Sequence, residues 1–291
     1  MIIRLGYELI FEAPAPTPML LLLSTHPSRA ASHLEPDRLR VEPEVRREDF
    51  VDRFGNLCTR VVAPPGRVRF WNDTRVQDSG ELDAARPDAV QLPVEDLPAD
   101  VLTYLLASRY CEVDCLSDIA WSLFGNAPTG WGRVQAVCGW VHDNVRFGYA
   151  YARPTKTAHD VYTERTGVCR DFTHLAITFC RCMNIPARYA TGYLGDIGVP
   201  VDGAMDFSAW FEAFLGGEWY TFDARHNTPR IGRVLMARGR DAVDTALTTS
   251  FGPTTLKQFT VWTDEVHAEE GVTFDSDNRQ GQGGETPPLR R

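Results

Sequence analysis

The segment from residue 164 to residue 183 constrains the fold more than any other stretch. It reads ERTGVCRDFTHLAITFCRCM, and its apolar residues recur every three or four positions after Cys169. This spacing predicts an amphipathic helix with one face in the core. Thr166-Gly167 is typical of a turn, so Cys169 is expected in or beside the first helical turn. The core-facing positions are Phe172, Leu175, Ala176, Phe179, Cys180 and Met183.

The predicted place of Cys169 suggests a chemical role. Backbone N–H groups at a helix start have no partner within the helix, and the helix dipole favours negative charge there, so we expect a stabilised thiolate. The same N–H groups could bind an oxyanion. The competing interpretation is a buried, unreactive thiol, because most of the seven cysteines are expected to be small core residues.

A second pattern, over residues 205–223, predicts a β-hairpin. Two runs rich in apolar residues flank Gly216-Gly217, a pair that is typical of a tight turn. Pairing across this turn places Trp210 opposite Asp223. Ser208 then lies diagonal to Asp223 on the same face, where long side chains at these two positions would meet. One of the two positions therefore carries an acid suited to orienting a base.

Several other stretches have helical or strand periodicity. The predicted helices span residues 98–108, 114–123 and 131–144, and the predicted strands span residues 187–194 and 256–263. Residues 76–100 have little periodicity and are expected to connect two units.

The length of 291 residues favours two domains. Short extended runs separated by Pro, Gly and Asp or Asn predict a small β-sandwich over residues 1–95. Residues 96–274 are expected to form the core domain, and residues 275–291, rich in Gly, Pro and polar residues, a disordered tail. The predicted fold class is α+β, with the cysteine at the N-terminus of a helix that packs on an antiparallel sheet.

Charge and composition exclude several classes of partner. The net charge of -9 and the absence of a Lys/Arg block argue against nucleic acid and anionic membranes as partners. No apolar run is long enough to span a bilayer and no signal-peptide pattern is present, so a cytoplasmic protein is expected. The odd number of cysteines favours reduced thiols, and their spacing predicts neither a metal nor another cofactor.

Two runs carry a resemblance to a known family. TGVCRDFTHLAITFCRCMNIPARYATGYL and DFSAWFEAFLGGEWYTFDARHN resemble the bacterial transglutaminase-like family over roughly residues 130–230. Residues 1–75, with the motif DRFGN, resemble the β-sandwich that precedes this domain in many bacterial members. The resemblance implies a papain-related α+β fold that uses a Cys-His-Asp triad.

The resemblance assigns two of the three triad positions directly: Cys169 as the nucleophile that opens the helix, and Asp223 near the end of the second hairpin strand. The family's histidine usually precedes Ala-Trp, and Ser208 stands there. A serine is too weak a proton acceptor for this role at neutral pH. His226 is the nearest substitute base, but strand alternation puts it on the face opposite Asp223 unless the chain turns after Ala224.

Three interpretations of the missing histidine stay open. His226 could act as the base, or the thiolate could act with Asp223 and no imidazole, or the fold could serve as a catalytically inactive peptide-binding or scaffold protein. The remaining histidines considered, His142, His159 and His174, are expected to be surface or capping residues.

An active site of this kind implies attack of the Cys169 thiolate on a carboxamide or peptide carbonyl to give a thioester. Water as the acceptor would make the protein a hydrolase or protease, and an amine would make it a transamidase. The expected partner is a peptide or protein with amide or amine groups, and no oligomeric state follows from the sequence. The candidate substrate-binding residues are Arg170, Asp171, Trp140 and Trp210. The hairpin charges Asp206 and Glu212 are expected to be solvated.

Overall fold

The structure, a computed structural model, describes residues 1–201, 203 and 205–266; the predicted tail, residues 275–291, lies outside these ranges. The strands are β1 (Ile2–Ala13), β2 (Thr17–Leu21), β3 (Arg40–Glu42), β4 (Arg47–Val51), β5 (Leu57–Ala63), β6 (Gly66–Gln77), β7 (Arg146–Phe147), β8 (Thr166–Gly167), β9 (Ala187–Leu194), β10 (Ser208–Leu215), β11 (Glu218–Phe222), β12 (Arg233–Gly239), β13 (Thr248–Ser250) and β14 (Thr255–Val266). The α-helices are α1 (Val113–Phe124), α2 (Trp131–Asn144), α3 (Ala158–Glu164) and α4 (Cys169–Cys182). None of the helices in the described part of the chain is long and apolar enough to cross a bilayer.

Two four-stranded sheets form an N-terminal β-sandwich. One sheet has the order β14-β1-β6-β3 and the other β13-β2-β5-β4. Because side chains alternate between the two faces of a strand, Ile3, Leu5 and Leu9 of β1 all point into the space between the sheets. They share this core with Met19 of β2 and Val61 of β5. The predicted sandwich is confirmed.

The last strands of the described chain return to this sandwich. β14 runs antiparallel to β1, with Ile2 opposite Val266, and β13 pairs with β2. The strand predicted over residues 256–263 therefore forms, and it extends the N-terminal sheet. The boundaries 1–95 and 96–274 stay a prediction, since strands from both ranges build the sandwich.

A further sheet, with the order β11-β10-β9-β12, supports the cysteine-bearing helix. β10 and β11 pair with Phe211 opposite Phe222, the register that the glycine turn predicts. Helix α4 packs on β9 and β10 and is covered by α1, α2 and α3. The α+β fold, with a helix on an antiparallel sheet, is confirmed.

Helix α4 is enclosed on every side, beyond the single apolar face that its sequence predicts. All residues from 171 to 182 are buried. Buried polar groups need partners inside the protein. Arg181 finds them at the C-terminal end of α4, where its guanidinium donates to the carbonyl oxygens of Ala187, Leu106 and Arg240.

The helix predicted over residues 98–108 is wrong. The structure has a single 3-10 turn there, Leu102–Leu105, between irregular segments. Leu97 and Val101 form a small buried cluster with Phe214 of β10. The apolar spacing of this segment thus comes from an irregular chain that packs on the sheet.

Helix α3 is short and was not among the predicted helices. Asp160 Oδ2 accepts a hydrogen bond from Thr157 N, and Thr157 Oγ1 accepts one from Asp160 N. This is a reciprocal capping box, which satisfies two N–H groups at a helix start. The Thr-x-x-Asp spacing was therefore a usable signal.

Replacing the buried guanidinium tests how α4 is anchored. Arg181→Met keeps most of the side-chain volume but leaves three buried carbonyl oxygens without these donors, so we expect a loss of about 3 kcal/mol in the free energy of unfolding. Urea denaturation followed by circular dichroism measures it. Arg67→Met, at an exposed position of β6, is the matched control and is expected to stay within about 0.5 kcal/mol of wild type. Equal stability of the two variants would contradict the anchoring role.

Candidate active site

Cys169 is the first residue of α4, where the sequence predicts it. Asp171 stabilises this helix start, since its Oδ2 accepts a hydrogen bond from Val168 N at 3.0 Å. Burial raises the pKa of Asp171, which has no exposed surface. Arg170 donates to Asp171 Oδ1 at 3.0 Å and to the Arg153 carbonyl oxygen at 2.7 Å. These contacts give Arg170 and Asp171 a supporting role, and their contact with substrate stays a prediction.

The Cys169 thiol is half-buried and protonated at neutral pH. Its sulfur lies close to the backbone N–H groups of Ala209 and Arg170, and the charges of Asp206 and Arg225 act on it. Burial, followed by the Asp206 carboxylate, raises the pKa of the Cys169 thiol to about 11, although Arg225 and the two N–H groups lower it. The prediction of a stabilised thiolate is wrong for this conformation, because burial outweighs the N–H donors. Such a thiol needs a base.

Asp206 and Glu212, which the sequence predicts to be solvated, are both at least partly buried. Glu212 is 7 % exposed and accepts hydrogen bonds from Arg188 and Arg238. Asp206 is partly buried just before β10, and burial raises the pKa of its carboxyl group to about 6, against the N–H of Phe207 and the charge of Arg225. A carboxylate with a raised pKa beside a nucleophile candidate is typical of a functional site.

The chain turns immediately after β11, and this turn brings His226 to Asp223. Asp223 Oδ1 accepts hydrogen bonds from Arg225 N at 2.9 Å and His226 N at 3.0 Å, and Asn227 adopts a left-handed φ of 51°. His226 Nδ1 lies 2.9 Å from Asp223 Oδ2. The ring nitrogen is the donor, since an ionised carboxylate can only accept. The chain therefore turns after Ala224, as is required for His226 to lie beside Asp223.

Arg233 of β12 also bonds to Asp223. Its Nη2 donates to Asp223 Oδ2 at 2.9 Å, and its Nε donates to both carboxylate oxygens of Asp83, at 2.9 and 3.1 Å. Burial alone would raise the pKa of Asp223, but the hydrogen bond from His226 and the charge of Arg233 outweigh it and hold this pKa well below its usual range. Asp223 is therefore ionised at every pH at which the protein would work.

A neighbour of Ser208 and a neighbour of His226 both act on the Cys169 thiol at one edge of the sheet. Ala209, whose N–H faces the thiol, is next to Ser208 in the chain, and Arg225, whose charge acts on the thiol, is next to His226. The start of β10 and the turn after β11 thus bring residues that are distant in sequence to the start of α4.

The sequence profile of the transglutaminase-like superfamily matches residues 118–224, a range that holds Cys169, Ser208 and Asp223 and ends before His226. A relative from Mycobacterium leprae, the uncharacterized protein ML0607, is 34% identical over 260 residues, which cover 83% of this chain and 88% of the relative. The chain belongs to the transglutaminase-like superfamily. A solved structure named "Putative Cysteine Protease", from Cytophaga hutchinsonii, is 30% identical, covers 95% of this chain and 94% of its own, and superposes with a TM-score of 0.80.

Ser208 occupies the position where the transglutaminase-like family usually has histidine. Its side chain is 7 % exposed, and its hydroxyl oxygen has no hydrogen-bond partner among the described residues. Its carbonyl oxygen accepts a bond from Thr191 Oγ1 at 2.9 Å, which joins β9 to β10. Ser208 thus has the place of the family's base and none of its chemistry.

The two tryptophans predicted to bind substrate both have packing roles. Trp210 is 2 % exposed in a cluster with Ala190 and Leu235, and the Arg233 guanidinium lies 5.1 Å above its ring. Trp140 of α2 packs against aromatic rings at the edge of the core, including the Tyr162 ring at 5.8 Å. Their contact with substrate stays a prediction.

The three other histidines considered in the sequence, His142, His159 and His174, have different surroundings. His174, predicted to be a surface or capping residue, is fully buried in α4 and accepts a hydrogen bond from Ala242 N, so a surface position is wrong for it. Burial lowers the pKa of His174 well below its usual value. His142 and His159 are exposed, and His142 Nδ1 lies 2.8 Å from the Arg225 carbonyl oxygen.

A small cavity of about 50 Å³ adjoins Asp223 on the side of α2. Its lining includes Trp131, Gln135, Cys138 and Asn227, and Gln135 Nε2 donates to Asn227 Oδ1 at 2.9 Å. The cavity has room for a water molecule or two. Within the described ranges no three His, Cys, Asp or Glu side chains are grouped so as to share a metal ion.

The sequence did not single out three contributors to this site. Asp206 lies two positions before Ser208, so its nearness to the family's histidine position was a usable signal. Arg233 lies in a basic run that contains glycines, and Asp83 lies in the connection without periodicity. Nothing local marked these last two as partners.

Removing the Asp206 charge is expected to make Cys169 more reactive. Asp206→Asn keeps the side-chain shape and lowers the pKa of the thiol, so alkylation of Cys169 by iodoacetamide at pH 8 should be about three- to tenfold faster, since each pKa unit changes the thiolate fraction about tenfold. Mass spectrometry of the Cys169 peptide gives the rate. Asp143→Asn, exposed at the end of α2, is the control. An unchanged rate in Asp206→Asn would contradict the electrostatic assignment.

The same variant should be more stable, in a pH-dependent way. Because the folded protein raises the pKa of Asp206 to about 6, the wild type loses stability as the pH rises from about 4 to about 6 and the buried charge forms. Asp206→Asn avoids this loss. Its free energy of unfolding should exceed that of wild type by about 1 to 2 kcal/mol at pH 8, with no difference below pH 4. Thermal unfolding at both pH values measures the difference, and a constant difference would contradict the assignment.

Proposed function

We propose that this chain is a cysteine-dependent enzyme of the transglutaminase-like superfamily that cleaves or exchanges amide bonds through a thioester. Cys169 is the nucleophile, His226 is the base and Asp223 orients His226. The substrates are peptides or proteins with carboxamide or peptide groups. Water as the acceptor gives hydrolysis, and an amine gives transamidation.

The hydrogen bond between His226 Nδ1 and Asp223 Oδ2 is the observation that supports this proposal most. Bonding of one ring nitrogen to a buried carboxylate fixes the tautomer and leaves the lone pair on Nε2. The ring comes from the turn after β11 instead of from the first hairpin strand. A base of the usual kind is therefore available although Ser208 replaces the family's histidine.

The reaction follows from these groups. His226 Nε2 takes the proton of the Cys169 thiol while the sulfur bonds to the substrate carbonyl carbon. The carbonyl oxygen becomes an oxyanion, and the N–H groups of Ala209 and Arg170 beside the sulfur are donors for it. Collapse of this intermediate breaks the carbon–nitrogen bond, and the leaving amine takes the proton from His226. Water or an amine, deprotonated by His226, then attacks the thioester, and the proton returns to the Cys169 sulfur.

The raised pKa of the thiol makes the imidazole necessary in this scheme. With a pKa of about 11, Cys169 holds its proton at neutral pH, so a nucleophile forms only as a base removes that proton. The solved structure named as a cysteine protease, similar along nearly the whole chain, is in keeping with a thiol mechanism.

The competing function is a peptide-binding protein without turnover. The observations that favour it are Ser208 at the histidine position and the protonated thiol. The two proposals differ in one testable property. If the protein is an enzyme, the His226 imidazole accepts the proton of the Cys169 thiol; if it only binds peptides, the imidazole has no such role.

Alkylation of Cys169 by iodoacetamide from pH 6 to pH 9 tests the proposal without a known substrate. His226→Asn should slow alkylation at pH 7 by at least about tenfold, because the thiol loses its proton acceptor. His159→Asn, exposed on α3, is the matched control and is expected to react as wild type does. Turnover of dimethylcasein, with and without dansylcadaverine as the amine acceptor, provides the activity readout, with Cys169→Ala as the blank.

An unchanged alkylation profile in His226→Asn would exclude His226 as the base and favour the binding protein. Slower alkylation in His226→Asn together with loss of casein turnover in Cys169→Ala would support the enzyme.

A further inference from the structure

We propose that Arg233 and Asp83 are positioning residues that set the pH range in which His226 can accept a proton. Arg233 lies between the carboxylates of Asp223 and Asp83 and governs how much negative charge Asp223 presents to the imidazole. This inference rests on the proposed function, because it gives the pH range significance for catalysis.

A series of hydrogen bonds links Asp83, in the irregular segment after β6, through Arg233 and Asp223 to the His226 imidazole. Asp83 accepts from Arg233 Nε at 2.9 and 3.1 Å, Arg233 Nη2 donates to Asp223 Oδ2 at 2.9 Å, and the same oxygen accepts from His226 Nδ1 at 2.9 Å. His226 and Arg233 thus compete for one oxygen atom. A weaker bond from Arg233 therefore leaves more negative charge on Asp223 Oδ2 to interact with the His226 ring.

The connection holds Asp83 in place by its backbone as well. Asp83 N donates to the Arg230 carbonyl oxygen, Asp83 Oδ2 accepts from Arg230 N at 2.9 Å, and Leu82 forms an isolated bridge with Ile231. Asp83 lies 150 residues before Arg233 in the chain. The irregular segment after β6 therefore contributes a charge to the site.

Burial strengthens the interactions between the charges of Asp223, Arg233 and Asp83. The exposed fraction of the side chain is 4% for Asp223, 7% for Arg233 and 16% for Asp83. Charges in contact at such sites interact more strongly than they do in bulk water, because less solvent screens them. The alternation of negative, positive, negative charge sets the potential at His226.

Other charged and titratable groups surround this cluster. Arg225 lies on the same turn, and its guanidinium is over the Phe147 ring at 3.8 Å. His142 of α2 contacts this turn, with its Nδ1 2.8 Å from the Arg225 carbonyl oxygen. Arg230 Nη2 lies 3.5 Å from Asp196 Oδ1, and the charge of Asp223 acts on the Cys138 thiol of α2. The charge of Asp206 acts on the Cys169 thiol. None of these groups lies between Arg233 and Asp83.

The chain of charges predicts opposite effects for its two ends. Loss of the Arg233 charge leaves Asp223 uncompensated, so the imidazolium form of His226 gains stability and the ring titrates at higher pH. Loss of the Asp83 charge leaves Arg233 less compensated, so the imidazolium form loses stability and the ring titrates at lower pH.

The test is an NMR titration of the His226 ring protons in the full-length protein, assigned by the loss of their signal in His226→Asn. Relative to wild type, Arg233→Met should move the midpoint up by about one pH unit, and Asp83→Asn should move it down by about half a unit. Arg233→Lys, which keeps the charge, should restore most of the wild-type midpoint. The acid limb of casein turnover against pH should move with the midpoint in each variant.

A purely structural role gives a different result. Loosening of the turn would move the midpoint in Arg233→Met and Asp83→Asn in the same direction, and this would overturn the proposal. If Arg233→Met does not fold, Asp83→Asn and Arg233→Lys still decide, since a downward shift in the first with little shift in the second supports the proposal and any other pair of shifts overturns it. Failure of the proposed function is a separate result, because the titration does not depend on turnover.

Discussion

Complete enclosure of α4 is the constraint on which the rest of the structure depends. A helix without a solvent face must satisfy its polar side chains inside the protein. Arg181 does so at the C-terminal end and Asp171 at the start, while His174 in the middle accepts a hydrogen bond at Nε2 and its buried Nδ1 has no partner among the described residues. Because both ends of the helix are tied to other segments, the fold fixes the position of Cys169 relative to β10. The nucleophile candidate lies on a rigid element, and the groups that act on it arrive on the strand start and the turn beside it.

Local patterns in the sequence predict much of this arrangement, and contacts between distant segments decide the rest. Helices α2 and α4, strand β9 and the β10–β11 hairpin follow from periodicity, since burial repeats along them. The turn after β11 is settled by hydrogen bonds from the backbone to the Asp223 side chain, which no periodicity reports. The partial burial of Asp206 and the bond between Asp83 and Arg233 arise only in the folded chain, and that bond joins segments 150 residues apart. The segment over residues 98–108 has helical spacing, but it is an irregular chain that packs on β10 through Val101.

The two carboxylates of the site differ because their partners differ. Asp223 accepts four hydrogen bonds, which overcome the effect of burial and keep it ionised. Asp206 has few such donors, so burial prevails and its pKa of about 6 allows it to change charge near neutral pH. Asp223 therefore carries a constant charge and Asp206 a variable one. Enzymes commonly separate the roles of two acids by environment in this way.

The pairing of β14 with β1 has a consequence for the order in which the protein folds. The first strand of the sandwich lacks one neighbour until β14 has been made, so the N-terminal sheet cannot be completed before β14 is synthesised. Contacts between such distant segments form slowly, because the loop between them must be ordered first. During synthesis, the edge of β1 that later pairs with β14 stays open to other strands. We therefore expect assembly of this sheet to be the late step of folding.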